Sequence, residues 1–146
     1  MKNNFFNYPV ANINLKPSLS SEITSQILYG EKFKILSKKG GWVKIKTSFD
    51  NYIGYIKYNK YYKKFKPTNK IHKLKSRIFR KKNNLFFPTA NFLYFATGIS
   101  LKNQDKDYIE FEKNKWVKKS DTKKIWHYEK DFIKIFKLFL NSKYLW

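Results

Sequence analysis

The chain contains no cysteine, which removes thiol nucleophiles, thiolate zinc sites and disulfides from its chemistry at once. Its two histidines, His72 and His127, stand far apart in the sequence. His72 falls in a strand-like run and reads as a strand residue. His127 is followed by Glu129 and Asp131 just ahead of a helical pattern, where local capping of the helix is the simpler role. Ser142 has no base near it in sequence. No residue pattern supplies a nucleophile with its base, so no catalytic residue is assigned. The histidines and scattered carboxylates do not space themselves as metal ligands, and no metal or cofactor is expected.

The other chemically suggestive feature is charge. The 146 residues carry 32 Lys and Arg against 10 Asp and Glu, for a formal charge of +22. Between Lys57 and Lys82 there are twelve basic residues and no acid, interleaved with Tyr58, Tyr61, Tyr62 and Phe65. Such a stretch could line a groove for single-stranded nucleic acid. Two observations argue against that partner. Only Arg77 and Arg80 are arginines, and lysine lacks the fork that reads phosphates and bases. The chain is also rich in Asn, Ile, Phe and Tyr, which, like lysine, have codons rich in A and T. Genome composition therefore accounts for much of the surplus, and the basic stretch reads as a solvated connector with a lysine-faced strand.

The elements that carry these residues follow from hydropathy. Short apolar runs at Val10 to Leu15, Ile23 to Leu28, Phe33 to Leu36, Trp42 to Thr47 and Tyr52 to Ile56 alternate with polar residues and are separated by turn chemistry. Pro17 with its following serines, Lys39-Gly40-Gly41 and Phe49-Asp50-Asn51 mark the turns. Five short strands in under fifty residues predict a small barrel. From Ile71 the rhythm returns, through His72 to Leu74, Arg77 to Phe79, a loop from Asn83-Asn84 to Pro88, Phe92 to Phe95, Thr97 to Ile99, Tyr108 to Phe111 and Trp116-Val117. Here Glu112-Lys113-Asn114-Lys115-Trp116-Val117 echoes Lys39-Gly40-Gly41-Trp42-Val43, which predicts a second, diverged barrel. Trp42 and Trp116 are expected in the two cores. After residue 130 the period changes. Lys130, Lys134, Lys137 and Asn141 fall at helical spacing among apolar neighbours, giving a short helix with one narrow polar stripe.

The fold class expected is thus mainly β, with two SH3-like small β-barrels in tandem followed by a short C-terminal α-helix. The domains expected are residues 1–62, 63–122 and 123–146. No run approaches the ~20 apolar residues that cross a bilayer. The first nine residues lack the apolar core of a secretory signal, which favours the cytoplasm over secretion.

The first module resembles the bacterial SH3 (SH3b) domain, in the set Asn14-Leu15, Pro17-Ser18, Gly41-Trp42 with Val43 and Ile45, and Gly54-Tyr55-Ile56. The terminal stretch Phe139-Leu140-Asn141-Ser142-Lys143-Tyr144-Leu145-Trp146 resembles the opening of an NlpC/P60 cysteine peptidase domain. In that family an apolar helix runs into a Tyr-x-Trp-Gly-Gly loop ahead of the nucleophilic cysteine. Two SH3b modules followed by this helix are similar to the γ-D-glutamyl-L-diamino acid endopeptidases. The resemblance implies a region that positions cell-wall peptide for a C-terminal catalytic domain missing from this chain. Without a cysteine, the chain itself should be inactive as a peptidase. It further implies that the first module walls the substrate cleft, with Asp50 meeting the free ammonium of the peptide, Tyr52 packing on it and Tyr55 adjacent. The alternatives are a stand-alone SH3b module that docks on peptidoglycan and a lysine-rich nucleic-acid binder.

Overall fold

The structure is a computed structural model that describes residues 3–142. It is mainly β, with 51% strand and one short helix near the C-terminal end. The chain divides into two compact units between Phe65 and Lys66.

In the first unit six strands pair antiparallel: β1 (Asn3–Phe5), β2 (Val10–Asn14), β3 (Ile23–Leu28), β4 (Lys32–Lys39), β5 (Trp42–Thr47) and β6 (Ile53–Lys57). Their order is β1-β4-β5-β6-β2-β3. Alternation decides which side chains go inside. Along β5, Val43, Ile45 and Thr47 are buried while Lys44 and Lys46 lie between them half-exposed. The inward residues meet in a core of Phe6, Ile13, Ile27, Phe33, Val43, Ile45, Ile56 and Tyr61. Tyr61 donates its hydroxyl to the carbonyl of Lys57, and burial pushes its pKa up to about 12. Trp42 is 6% exposed and carries the Lys57 ammonium over its ring at 4.4 Å.

The strand runs read from the sequence begin at Val10, but the sheet begins earlier. Asn3–Phe5 forms a strand paired with β4, and the Phe5 N–H donates to the carbonyl of Tyr62 at 2.9 Å. The physical reason is Phe6, a core side chain 1% exposed, whose burial draws the preceding residues onto the sheet edge.

The second unit has two sheets. β7 (Asn69–Ile71), β10 (Gly98–Ile99) and β14 (Thr122–Lys124) form one, and β8 (Lys75–Lys82), β9 (Leu85–Tyr94), β11 (Asn103–Asp105), β12 (Tyr108–Glu112) and β13 (Lys115–Lys118) form the other. Ile109, Phe111, Trp116, Val117, Leu93, Ile78 and Ile99 are buried. The predicted loop from Asn83 to Pro88 is instead a tight hairpin. Asn83 and Asn84 adopt φ of 49° and 59°, the left-handed pair that a two-residue turn requires and that Asn tolerates well. Lys82 then pairs with Leu85 and β9 continues past Pro88, with a shift of register between Pro88 and Phe92. Proline is admitted because β9 is the last strand of its sheet, where a missing N–H leaves no ladder bond unmade.

The two units share the predicted SH3-like scale and strand rhythm, with open sheets rather than closed cylinders. In the first, the hydrogen-bonded order ends at β1 and β3; in the second it divides between two sheets. The Trp hairpins echo one another with an offset. Gly40-Gly41 forms the turn between Lys39 and Trp42, whereas Lys113-Asn114 joins Glu112 to Lys115 and places Trp116 one residue further on.

Helix α1 (Phe132–Phe139) begins at Asp131, whose side chain accepts from the Lys134 N–H at 3.2 Å, while Glu129 accepts from the Asp131 N–H. No residue of α1 is buried. Phe139 meets the edge of Phe95 at a ring separation of 5.3 Å, but Phe132, Ile133, Phe136 and Leu140 are exposed. No helix among the described residues is long and apolar enough to cross a membrane.

Gly54 leaves no room for a side chain. A Cβ there would meet Ile13 Cγ2 at 2.3 Å and the Asn14 carbonyl oxygen at 3.0 Å. Gly54→Ala is expected to cost about 1–3 kcal/mol through overpacking, lowering the unit's Tm by roughly 4–8 °C for each kcal/mol. Gly40, with open space around it and φ of 54°, should lose less on the same change, on the order of 1 kcal/mol of left-handed strain. Thermal denaturation followed by near-ultraviolet circular dichroism compares the two; equal losses would contradict the packing at Gly54.

Candidate functional site

The turn between β5 and β6 is built from its own side chains. Asp50 accepts hydrogen bonds from the Thr47 hydroxyl and from the Tyr52 N–H at 3.3 Å. The Tyr52 N–H also reaches Thr47 Oγ1 at 2.7 Å, and Asn51 takes φ of 60° to complete the reversal. These bonds hold the Asp50 carboxyl below its ordinary pKa, the Thr47 hydroxyl contributing most. Asp50 is therefore an ionised, pre-oriented carboxylate at the surface.

Across a groove of about 360 Å³ from this turn stand Gln26 of β3 and Glu31 of the β3–β4 turn, with Lys32, Ser48 and Phe49 completing the lining. Glu31 accepts from the Leu28 N–H at 3.0 Å. Burial pushes its pKa up and the negative charge of Asp50 adds to the rise, while the Leu28 bond opposes both. Gln26 donates to Asn12 Oδ1 at 3.0 Å. Phe49 stands 96% exposed beside these polar groups. Two carboxylates, an exposed ring and a hydroxyl form a place for a cation attached to a small apolar body. On a chain of net charge +22, this local cluster of acids stands out.

The three residues selected from the sequence separate here. Asp50 lines the groove. Tyr52 is half-buried and packs against the core behind the turn. Tyr55 lies on β6, opposite Lys44 and Asn14 in the sheet, with the Lys44 ammonium 5.8 Å from its ring. Glu31 and Phe49 were not singled out. The proximity of Glu31 to Asp50 arises only through the pairing of β4 with β5.

The aromatics of the basic stretch are largely committed to packing. Tyr61 is in the core, and Phe65 contacts Phe5, Tyr29 and Tyr62. Tyr58 is 52% exposed but holds the Lys38 ammonium 4.5 Å from its ring centre. Few faces are left on which bases could stack. His72 has its Nε2 3.1 Å from the Ser120 carbonyl oxygen, and His127 lines a separate groove beside α1.

Residues 16–60 match the family model described as the bacterial dipeptidyl-peptidase Sh3 domain. The first unit carries a bacterial SH3 domain. The crystal structure of an NlpC/P60 family protein from Bacillus cereus superposes on 94% of this chain with a TM-score of 0.71 and 13% identity. At that identity the likeness is one of fold, and it extends through both units. The chain spans 63% of that protein's length. No curated protein matches the sequence. The Tyr144-Leu145-Trp146 motif lies outside the described residues.

The electrostatics of the SH3 groove are testable through stability. Because the pKa of Glu31 is raised on folding, the folded state holds this proton more firmly than the unfolded chain. Its contribution is thus most favourable below the ordinary value of 4.5 and is lost as pH rises through the raised folded pKa. Glu31→Gln keeps an acceptor for Leu28 and removes the repulsion with Asp50. The variant is expected to exceed the wild type in Tm at pH 7, with the gain fading toward pH 4; a gain independent of pH would refute the assignment.

Proposed function

We propose that this chain is the non-catalytic, substrate-positioning region of a cell-wall peptide hydrolase resembling the NlpC/P60 γ-D-glutamyl-L-diamino acid endopeptidases. The carrying observation is the SH3 groove, where Asp50 and Glu31 present two carboxylates beside the exposed Phe49. A short muropeptide with a free amino end fits this chemistry. Its ammonium lies against Asp50 and draws down the pKa of Glu31, and its first small side chain rests on Phe49. Tyr52 supports the turn from behind, and Tyr55 extends the wall along β6. The two units, which part between Phe65 and Lys66 rather than at the expected residue 62, serve as the two SH3b modules, the second of them keeping β14 (Thr122–Lys124), and α1 is the first helix of the catalytic domain.

The helix supports the same reading. Phe132, Ile133, Phe136 and Leu140 present an apolar face to solvent that a hydrolase domain of the NlpC/P60 kind would cover, in keeping with the extra length of the Bacillus cereus protein. The bond broken would be the γ-glutamyl link, by a cysteine that this chain does not contain. The SH3 match over residues 16–60 also suits a second reading, a peptidoglycan-binding module that acts without attached catalysis.

Calorimetric titration with L-alanyl-γ-D-glutamyl-diaminopimelate separates this proposal from general adhesion. The free-amine peptide should bind at least tenfold more tightly than its N-acetylated form, about 1.4 kcal/mol. Asp50→Asn should erase that difference. Equal binding of the two peptides by the wild type would sink the proposal.

A further inference from the structure

We propose that the second unit holds a separate binding site for a short acidic peptide, in a groove between the β7–β14 pair and the β11–β13 strands. This groove has a volume of about 790 Å³, within the ~300–1,000 Å³ range of small-ligand clefts. It lies wholly in the second unit and does not depend on the function assigned to the Asp50 groove.

Four lysines line it, Lys118, Lys119, Lys123 and Lys124, against the single acid Asp107. Topology brings all four to the groove, although Lys123 and Lys124, adjacent on β14, lie on opposite faces of that strand. Lys118 ends β13, Lys119 opens the 3-10 turn over Lys119–Asp121, and that turn delivers the chain directly into β14 with Lys123 and Lys124. The turn is pinned by the Lys119 N–H, which donates to the Asp107 carbonyl at 2.7 Å, and by the Thr122 hydroxyl, which donates to the Lys119 carbonyl at 3.0 Å. Among the described residues, none of the four ammonium groups lies within ion-pair distance of a carboxylate. Lys81 and Lys115, on the neighbouring sheet, do have such partners.

A second feature narrows the ligand beyond any anion. Asn69 lines the same groove, is 5% exposed, and sits directly opposite Lys124 in the β7–β14 register, so the two side chains share a face of the sheet. The Asn69 carboxamide oxygen is buried without a hydrogen-bond partner. Leaving a buried acceptor unpaired is costly, and the missing partner is an N–H or O–H donor. A peptide supplies both halves of the match: carboxylates for the lysines and a backbone N–H for Asn69. A fully ionised phosphate ligand, with no N–H or O–H, satisfies only the lysines.

The test is an amide NMR titration of the full chain in low salt, where exposed ammonium groups are least screened. Acetyl-Glu-Ala-Glu is compared with tricarballylate, which has three carboxylates and no N–H, and with inorganic pyrophosphate. The expected result is shifts confined to residues 69–71, 104–109 and 118–124, with the peptide binding at least fivefold more tightly than either small anion. A Lys123→Gln, Lys124→Gln double variant should weaken peptide binding at least tenfold. Asn69→Leu should reduce the peptide to the affinity of tricarballylate while leaving tricarballylate unchanged. The site is overturned if peptide and tricarballylate bind equally, if pyrophosphate binds most tightly, or if the lysine double variant retains full affinity; the wild-type comparison decides the matter even if a variant fails to fold.

Discussion

The close approach of β6 to β2 at Gly54 is the contact on which the first unit depends. With no side chain at that position, the Ile13 side chain fills the space and becomes fully buried together with Ile27, Phe33, Val43 and Ile45. That approach joins the β2–β3 pair to the β4–β5–β6 meander. Within the meander, the pairing of Phe33 with Thr47 sets the start of β4 beside the end of β5, so that the β3–β4 turn carrying Glu31 and the β5–β6 turn carrying Asp50 line one groove. The candidate site is a by-product of how the sheet closes on its core, since neither turn makes the site alone.

Charge is arranged around this framework with a clear division. Several lysines place their ammonium groups over aromatic faces, Lys38 on Tyr58, Lys57 on Trp42 and Lys75 on Phe92, at 4.4–5.0 Å from the ring centres. This lets a chain of high positive charge keep its rings shielded. The few acids are spent differently. Asp50 and Glu31 face one groove in the first unit, while Asp105 and Glu112 pair with lysines in the second. The SH3 groove thus gathers two of the chain's ten acids, with Lys32 also in its lining.

Helix α1 has different physics from the sheets. Its N-cap is satisfied by Asp131, so its beginning is defined locally; Ile135 and Leu138 are half-buried and Phe139 meets Phe95, yet Phe132, Ile133 and Phe136 remain exposed. An isolated helix of eight residues is far too short to be stable by propensity alone. Its apolar face is the part of the molecule whose energetics call for a partner surface.

Much of this architecture was legible in the residues themselves. Period-two alternation marked β2 to β6, glycine and Asx residues marked the turns, the two tryptophans marked the cores, and the change to helical spacing marked α1. These signals are local, and a strand's inward face is written in every second residue. What only the tertiary structure decided was long-range: that Asn3–Phe5 joins the sheet because Phe6 is needed in the core, that β9 can pass through Pro88 because it is an edge, and that Glu31 lines one groove with Asp50 while Lys118, Lys119, Lys123 and Lys124 line another with Asn69. Register and strand order set those neighbours, and no periodicity within a segment encodes which distant segment will lie beside it.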